Sequence, residues 1–165
     1  MDEKFILDAT AGFRGMWLNK KHPNCLYVDE RAEVKPDVIA DFRNLSFIPN
    51  ESKRLIVFDP PHMIQNTKTG DLAKRFGTLC PETWQSDLRK GFTELWRILA
   101  PYGVLFFKWS EHDKPLGSIL KLFCVAPLVI QRSAGAKARN GRPSSTLWCC
   151  FMKIPSVDIE SATGG

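Results

Sequence analysis

Four short apolar runs in the first sixty residues each end in an aspartate, and this repeated pattern constrains the fold more than any other feature. The runs have the length of buried strands. In an open parallel sheet the carboxyl ends of the strands line the ligand crevice. One terminal aspartate is more often a turn former or helix cap, but four in succession predict carboxylates around a ligand site. The runs are 5–7 before Asp8, 25–28 before Asp29, 37–40 before Asp41 and 55–58 before Asp59.

The later part of the chain predicts helices and further strands of the same sheet. Large apolar residues recur at spacings of three and four over 83–99, which predicts a helix that Thr83 caps. A fifth strand over 103–107 and a short helix after Pro115 follow. Strands over 128–130 and 146–152 flank a connection rich in Gly, Arg and Ser. We therefore predict an α/β fold whose sheet is mixed and mostly parallel, with a C-terminal antiparallel β-hairpin.

The connection between Pro61 and Thr83 is about twenty residues long and shows no clear periodicity. Loops beyond ~12–15 residues are uncommon in compact domains and are usually functional lids or disordered. Because this connection follows the fourth strand, we expect it to be a lid over the crevice.

Length and composition indicate one globular domain. The 165 residues include 5 Trp, 2 Tyr and 11 Phe, too many aromatic side chains for a disordered chain. We expect a single domain over 1–154 and a flexible tail over 155–165. The five cysteines form no CxxC pair, so we expect buried reduced thiols and no metal site. Since no apolar run approaches the ~20 residues of a membrane span and no signal-peptide core is visible, we expect a soluble, cytoplasmic protein.

The net charge of +5 can be assigned to one segment near the C-terminus. Between residues 131 and 153 there are five basic residues and no acidic ones. A concentrated basic stretch indicates a polyanionic partner, although a solvated surface loop is the commoner explanation. The basic residues are Arg132, Lys137, Arg139, Arg142 and Lys153, and Lys68, Lys74 and Arg75 of the expected lid can extend the same surface.

The fourth run continues as Asp59-Pro60-Pro61-His62, where two prolines end the strand and fix a rigid extended turn. This tetrapeptide resembles the motif of S-adenosylmethionine-dependent amino methyltransferases, normally Asp or Asn, Pro, Pro and an aromatic residue. Residues 5–15, 26–29 and 39–43 resemble the first three motifs of that family. The resemblance covers nearly the whole chain and is greatest to a small type found in phage and bacterial genomes. A GxGxxG pattern is absent, which argues against a nicotinamide dehydrogenase.

The resemblance implies a Rossmann-like methyltransferase fold, S-adenosylmethionine as cofactor, and a role for each motif residue. Asp59 and the Pro60 carbonyl would accept the two protons of a substrate amino group, Pro61 would stiffen the turn, and His62 would contact the base or be structural. Asp29 would bind the cofactor ribose, and Asp41 and Phe42 its adenine. The turn that lets the cofactor approach the backbone would comprise Asp8, Ala9, Thr10 and Gly12.

The expected function is methyl transfer to an exocyclic amino group of a nucleic-acid base, with adenine in DNA ahead of other targets. Three alternatives stay open: a guanine or adenine amino group in RNA, a small-molecule acceptor, or a catalytically silent module that binds the cofactor or nucleic acid. With no visible domain for sequence recognition, specificity is low or comes from a homodimer or another protein. The residues expected to contact nucleic acid are Lys108, Arg132, Lys137, Arg139 and Arg142.

Overall fold

The computed structural model describes residues 4–66, 70–133 and 145–155, and these ranges contain one seven-stranded sheet. The strand order is β3-β2-β1-β4-β5-β7-β6. Strands β1 to β5 pair in parallel, and β7 is antiparallel to both of its neighbours, β5 and β6. The strands are β1 (Ile6–Asp8), β2 (Cys25–Asp29), β3 (Val38–Ile39), β4 (Lys53–Phe58), β5 (Leu99–Ser110), β6 (Val129–Arg132) and β7 (Thr146–Met152).

The predicted mixed, mostly parallel sheet is thus confirmed, and the predicted C-terminal hairpin is matched in part. Strands β6 and β7 pair side by side and antiparallel, as a hairpin requires. The strand that joins them to the rest of the sheet is β7, and their connection over 134–144 lies outside the described residues. Strand β5 begins at Leu99, four residues earlier than the sequence predicts, and runs through Pro101.

The described helices are α1 (Asp71–Phe76), α2 (Trp84–Ile98) and α3 (Leu116–Leu120), with a 3-10 turn at Ala32–Val34. Helix α2 lies within one residue of its predicted bounds at each end. Thr83 is the N-cap residue, as predicted, but its side chain makes no capping bond. Its hydroxyl instead donates to the Asp87 carboxylate over 2.7 Å.

One face of the sheet packs against α2, and this contact forms the main core. Alternate side chains of β5 are fully buried there, namely those of Leu105, Phe107 and Trp109. The Phe92 ring of α2 lies 5.1 Å from the Phe151 ring of β7 and 4.0 Å from that of Phe123. Burial of several large aromatic side chains in one cluster stabilises the centre of the sheet and so fixes the strand ends that carry the site.

The cysteines follow the sequence prediction only in part. All five are free thiols, and Cys25 and Cys149 are buried, as predicted. Cys80 and Cys124 are exposed, since they lie in connections outside the sheet. Within the described ranges no cluster of three or more His, Cys, Asp or Glu side chains could hold a metal ion, and no helix is long and apolar enough to cross a membrane.

Candidate active site

The parallel register brings the four aspartates to one edge of the sheet. Asp8 and Asp29 are the last residues of β1 and β2, and Asp59 directly follows β4. Asp8 lies opposite Tyr27 of β2 and Val57 of β4, so these strands end at nearly the same level. Asp41 lies two residues beyond β3. The edge predicted from the sequence therefore exists, and it carries two adjoining clefts.

The inner cleft has a volume of about 30 Å³, and its lining includes Ala9, Thr10, Asp29, Phe42, Asp59 and Pro61. The outer cleft has a volume of about 290 Å³, and its lining includes Gly12, Phe13, Arg75 and Lys108. Thr10, Arg31, Asp59 and Phe76 line both, so the two are parts of one depression. The outer cleft comes close to the smallest volumes of small-molecule sites, about 300 Å³, whereas the inner cleft is far smaller.

The turn after β1 is tied to the ends of two neighbouring strands. The Asp59 main-chain N–H donates to Thr10 Oγ1 over 2.8 Å. The Gly12 N–H donates to Asp29 Oδ2, also over 2.8 Å. Gly12 has a φ of 48°, which strains any residue with a Cβ. Small residues in this turn leave the backbone open to a ligand in the cleft.

Asp29 is already saturated by hydrogen-bond donors. Its carboxylate accepts the main-chain N–H groups of Gly12 and Arg31 and two guanidinium bonds from Arg31, Nε at 2.9 Å and Nη2 at 3.1 Å. The Arg31 pKa is raised above its usual value by these bonds, against the effect of burial. Arg31 also donates to the carbonyls of Lys74 and Arg75, so it ties the end of α1 to the end of β2.

Asp41 is held in the same way by Arg43. The Arg43 Nε lies 2.8 Å from Asp41, and Arg43 Nη1 reaches Asp87 of α2 at 2.8 Å. Burial opposes the ionisation of Asp41, but the Arg43 bonds outweigh it and the pKa of Asp41 is lowered. Phe42, which lies between Asp41 and Arg43 in the sequence, lines the inner cleft and lies against α2. Sequence reasoning missed both arginines, although both follow a strand-end aspartate in the pattern Asp-x-Arg.

Asp59 differs because one of its oxygens has no hydrogen-bond partner in the described ranges. Lys108 Nζ lies 2.7 Å from Asp59 Oδ2. Asp59 Oδ1 is buried and, among the described residues, has no hydrogen-bond partner. The pairing follows from register, since Phe58 of β4 lies opposite Phe107 of β5. Lys108, expected at a substrate phosphate, is thus an ion-pair partner of Asp59 in this structure.

Asp8 lies behind the turn rather than in the lining of either cleft. It is fully buried and accepts hydrogen bonds from Trp17 Nε1 at 2.7 Å and from the Thr10 N–H at 3.3 Å. Burial raises the pKa of Asp8 to about 7, and the nearby charges of Asp59 and Asp29 act in the same direction. Its carboxyl is therefore held at a cost in solvation.

His62 is turned towards the core. Its ring lies 5.9 Å from the Trp109 ring in an edge-to-face contact, and its Nδ1 is buried without a hydrogen-bond partner among the described residues. Burial lowers the His62 pKa, which favours the neutral ring. Pro61 lies in the inner cleft, but His62 is absent from the lining of both clefts. Trp109 is fully buried.

The expected lid contains helix α1 and lies against the site. A bridge pairs Ile64 with Leu79, and Gly77, at the end of α1, lies so close to Pro61 that a Cβ would meet its ring at 3.0 Å. Of the predicted nucleic-acid contacts, Arg132 bonds with Glu111 and Ser145. Residues 67–69 and 134–144 lie outside the described residues, so Lys68, Lys137, Arg139 and Arg142 are not placed.

No family model and no curated protein matches the chain. Solved structures do match. A S-adenosylmethionine-dependent methyltransferase from Methanosarcina mazei has a TM-score of 0.56 at 11% identity over 93% of this chain and 94% of that one. An rRNA methylase from Streptococcus thermophilus has 0.52 at 13% identity, over 93% and 89%. The N1-methyltransferase of 1,6-didemethyltoxoflavin from Burkholderia thailandensis, solved with S-adenosylhomocysteine, has 0.52 at 16% identity, over 91% and 71%.

Identities this low establish the fold alone. The chain has the Rossmann-like fold of S-adenosylmethionine-dependent methyltransferases, as the resemblance of its motifs implies. The likeness spans most of both chains.

Proposed function

We propose that the chain is an S-adenosylmethionine-dependent methyltransferase acting on an exocyclic amino group of a nucleic-acid base, with adenine in DNA as the first candidate. The observation that carries this proposal is the state of Asp59. One of its oxygens is fixed by Lys108, and the other is buried, has no hydrogen-bond partner in the described part of the chain, and belongs to a side chain that lines both clefts. Buried acceptors are normally satisfied, so an amino group that supplies the missing donor fits this position.

The turn after β1 and the inner cleft carry the residues that would hold the cofactor. Ala9, Thr10 and Gly12 would hold it along the turn after β1, where small side chains leave the backbone accessible. Phe42 would pack against its adenine, and Asp29 would meet its ribose by sharing oxygens that Arg31 and Gly12 now occupy. When bound, the cofactor supplies a sulfonium-activated methyl group.

The chain itself orients the substrate nitrogen. Asp59 Oδ1 accepts one N–H of the amino group, and the main-chain carbonyl of Pro60 accepts the other. Lys108 holds the second carboxylate oxygen, so the side chain cannot rotate away without breaking a 2.7 Å ion pair. With both protons held, the nitrogen lone pair points along one direction towards the transferred carbon. Orientation of this kind would lower the barrier of a direct displacement, in which the N–C bond forms as the C–S bond breaks, S-adenosylhomocysteine leaves and the nitrogen releases one proton.

An amino group in RNA is the second candidate. It is supported by the fold shared with the rRNA methylase of Streptococcus thermophilus. The described site has an acceptor for an amino group, which DNA and RNA bases both provide.

Incubation with methyl-labelled cofactor and separate DNA and RNA pools, followed by nucleoside analysis, tests the proposal. We expect label in N6-methyl-2′-deoxyadenosine from the DNA pool. Label confined to the RNA pool would favour the second candidate. Label in neither pool, with measured binding of the cofactor, would overturn methyl transfer to nucleic acid and leave a silent binding module or a small-molecule enzyme.

A further inference from the structure

Large apolar side chains are exposed around the outer cleft. Phe13 is 55% exposed and Phe76 is 46% exposed, and Met16 beside them is 37% exposed. Single exposed apolar residues are ordinary on protein surfaces. These three, however, line the same cleft as Asp59. A group of exposed apolar side chains within one cleft marks a binding surface.

The backbone that carries both phenylalanines is fixed. Phe13 follows Gly12, whose N–H is bonded to Asp29. Phe76 is the last residue of α1, and Arg31 holds the two carbonyls immediately before it. Gly77, the next residue, lies against Pro61. The two rings are therefore exposed side chains on anchored backbone, an arrangement in which a ligand meets a preformed surface.

Two cationic side chains line the same cleft as the two phenylalanine rings. The Arg75 guanidinium lies 5.1 Å from the centre of the Phe76 ring, and Arg75 and Lys108 both line the outer cleft. Unstacked nucleobases are bound by aromatic rings and arginine planes, with basic side chains on the phosphates. His62 packs against Trp109 and does not line this cleft, so the motif histidine offers no ring surface there.

We propose that Phe13 and Phe76 form the stacking site for an unpaired nucleobase whose amino group reaches Asp59, with Arg75 at the adjoining phosphate. This inference deepens the proposed function and rests on it. It names the substrate form as a single strand or a base rotated out of its duplex, because a paired base has both faces covered by its neighbours. It also assigns the base contact to two residues outside the Asp-Pro-Pro-His motif.

The test measures binding of a fluorescent single-stranded DNA oligonucleotide containing one adenine, and of the same strand with an abasic site in place of that adenine. The variants are Phe13→Ala and Phe76→Ala, with Phe47→Ala as the matched control. Phe47 is 52% exposed, but it lines neither cleft. Affinity for S-adenosylhomocysteine is measured in parallel, and the aromatic replacements Phe13→Tyr and Phe76→Tyr are included.

We expect each alanine variant to raise the Kd for the adenine strand by roughly 5- to 150-fold, which is the usual loss for one stacked base. The abasic strand should bind all variants equally, the tyrosine variants and Phe47→Ala should match the wild type, and cofactor affinity should change less than about twofold.

Three results would overturn the stacking site: adenine-strand binding by the alanine variants within twofold of wild type, equal losses for both strands, or a parallel loss of cofactor affinity, which would place the rings on the cofactor. A wild-type protein that binds neither strand would overturn it too. The proposed function fails separately. If the wild type binds the adenine strand through these rings but transfers no methyl group to any pool, the stacking site stands and the methyltransferase activity does not.

Discussion

The aspartates on the outer and the central strands of the carboxyl edge differ in their hydrogen-bond partners. On the outer strands, Asp29 and Asp41 are each bonded by an arginine two residues further on, and Asp41 shares its arginine with Asp87. On the central strands, and among the residues that the structure describes, Asp8 has only neutral donors and a raised pKa, and Asp59 has one buried oxygen without a partner. Saturated carboxylates hold a scaffold together, whereas carboxylates kept at a cost in solvation mark functional positions. The outer aspartates therefore tie neighbouring segments together, and we propose that Asp59 on the central half receives the substrate.

The largest stability effect should come from Asp8→Asn. The Asp8 pKa is 3.8 when unperturbed and about 7 in the fold. Between these values the folded state holds a proton that the unfolded state has lost, so wild-type stability falls as the pH rises from 4 to 7 and then levels. The shift of the pKa corresponds to a loss of stability of roughly 4 kcal/mol at most. The amide of the variant can still accept from Trp17. We therefore expect the free energy of unfolding of the variant, relative to that of the wild type, to increase from pH 4 to pH 7. Urea unfolding at several pH values measures this difference.

A constant difference between Asp8→Asn and the wild type from pH 4 to 8 would contradict this account of Asp8. On the central half of the edge, evidence for a carboxyl group held at a cost in solvation would then rest on Asp59 alone, among the described residues.

Lys108→Met should lower kcat about 100-fold, equivalent to about 2.7 kcal/mol, because Asp59 loses the contact that orients it. Lys108→Arg should recover part of the loss, and affinity for S-adenosylhomocysteine should stay within about twofold. The matched control is Lys90→Met on the exposed face of α2. Loss of nucleic-acid binding at unchanged kcat would instead place Lys108 at a phosphate, as the sequence alone indicates.

Gly91→Ala tests the packing behind the inner cleft. A Cβ at Gly91 would lie 2.4 Å from two ring carbons of Phe42. The helix gains about 1 kcal/mol from alanine, but moving the ring costs about 1–3 kcal/mol. We expect a net loss of about 1 kcal/mol in the free energy of unfolding and weaker cofactor binding. Gly117→Ala in α3, where a Cβ meets no atom within 4 Å, is the control and should be neutral or stabilising.

The smallest effect should come from Arg43→Gln. The Arg43 side chain is 36% exposed, so solvent screens its bonds to Asp41 and Asp87. We expect a loss below about 1 kcal/mol in thermal or urea unfolding and little change in kcat. Arg89→Gln, on the exposed surface of α2, is the control. A large loss of activity with unchanged stability would show that the outer half is not merely scaffold.

The sequence predicts those parts of the molecule that depend on local pattern. Strand ends marked by aspartate and the spacing of three and four in α2 are such patterns, and both are found in the structure. Helix α1 has only six residues, too few to show a period, so the connection that contains it reads as irregular. The exposure of Cys80 and Cys124 depends on where connections run, which residue type does not determine.

Contacts between distant residues needed the structure. Lys108 meets Asp59 across 49 positions because β5 pairs with β4 in one register. The inward turn of His62 depends on Trp109, which comes from the same distant strand. The contacts of Arg31 and Arg43 could have been predicted from the sequence, because the pattern Asp-x-Arg occurs twice after predicted strands.

The most direct test of the central claim compares methyl transfer by wild type, Asp59→Asn and Asp59→Ala under single-turnover conditions with saturating cofactor. Asp59→Asn keeps an oxygen acceptor, and we expect it to lose about 10-fold in rate. Asp59→Ala removes the acceptor and should lose about 1,000-fold or more, while its affinity for S-adenosylhomocysteine stays within twofold of wild type. Transfer by Asp59→Ala at the wild-type rate, or a loss of cofactor affinity as large as the loss of rate, would contradict the role assigned to Asp59.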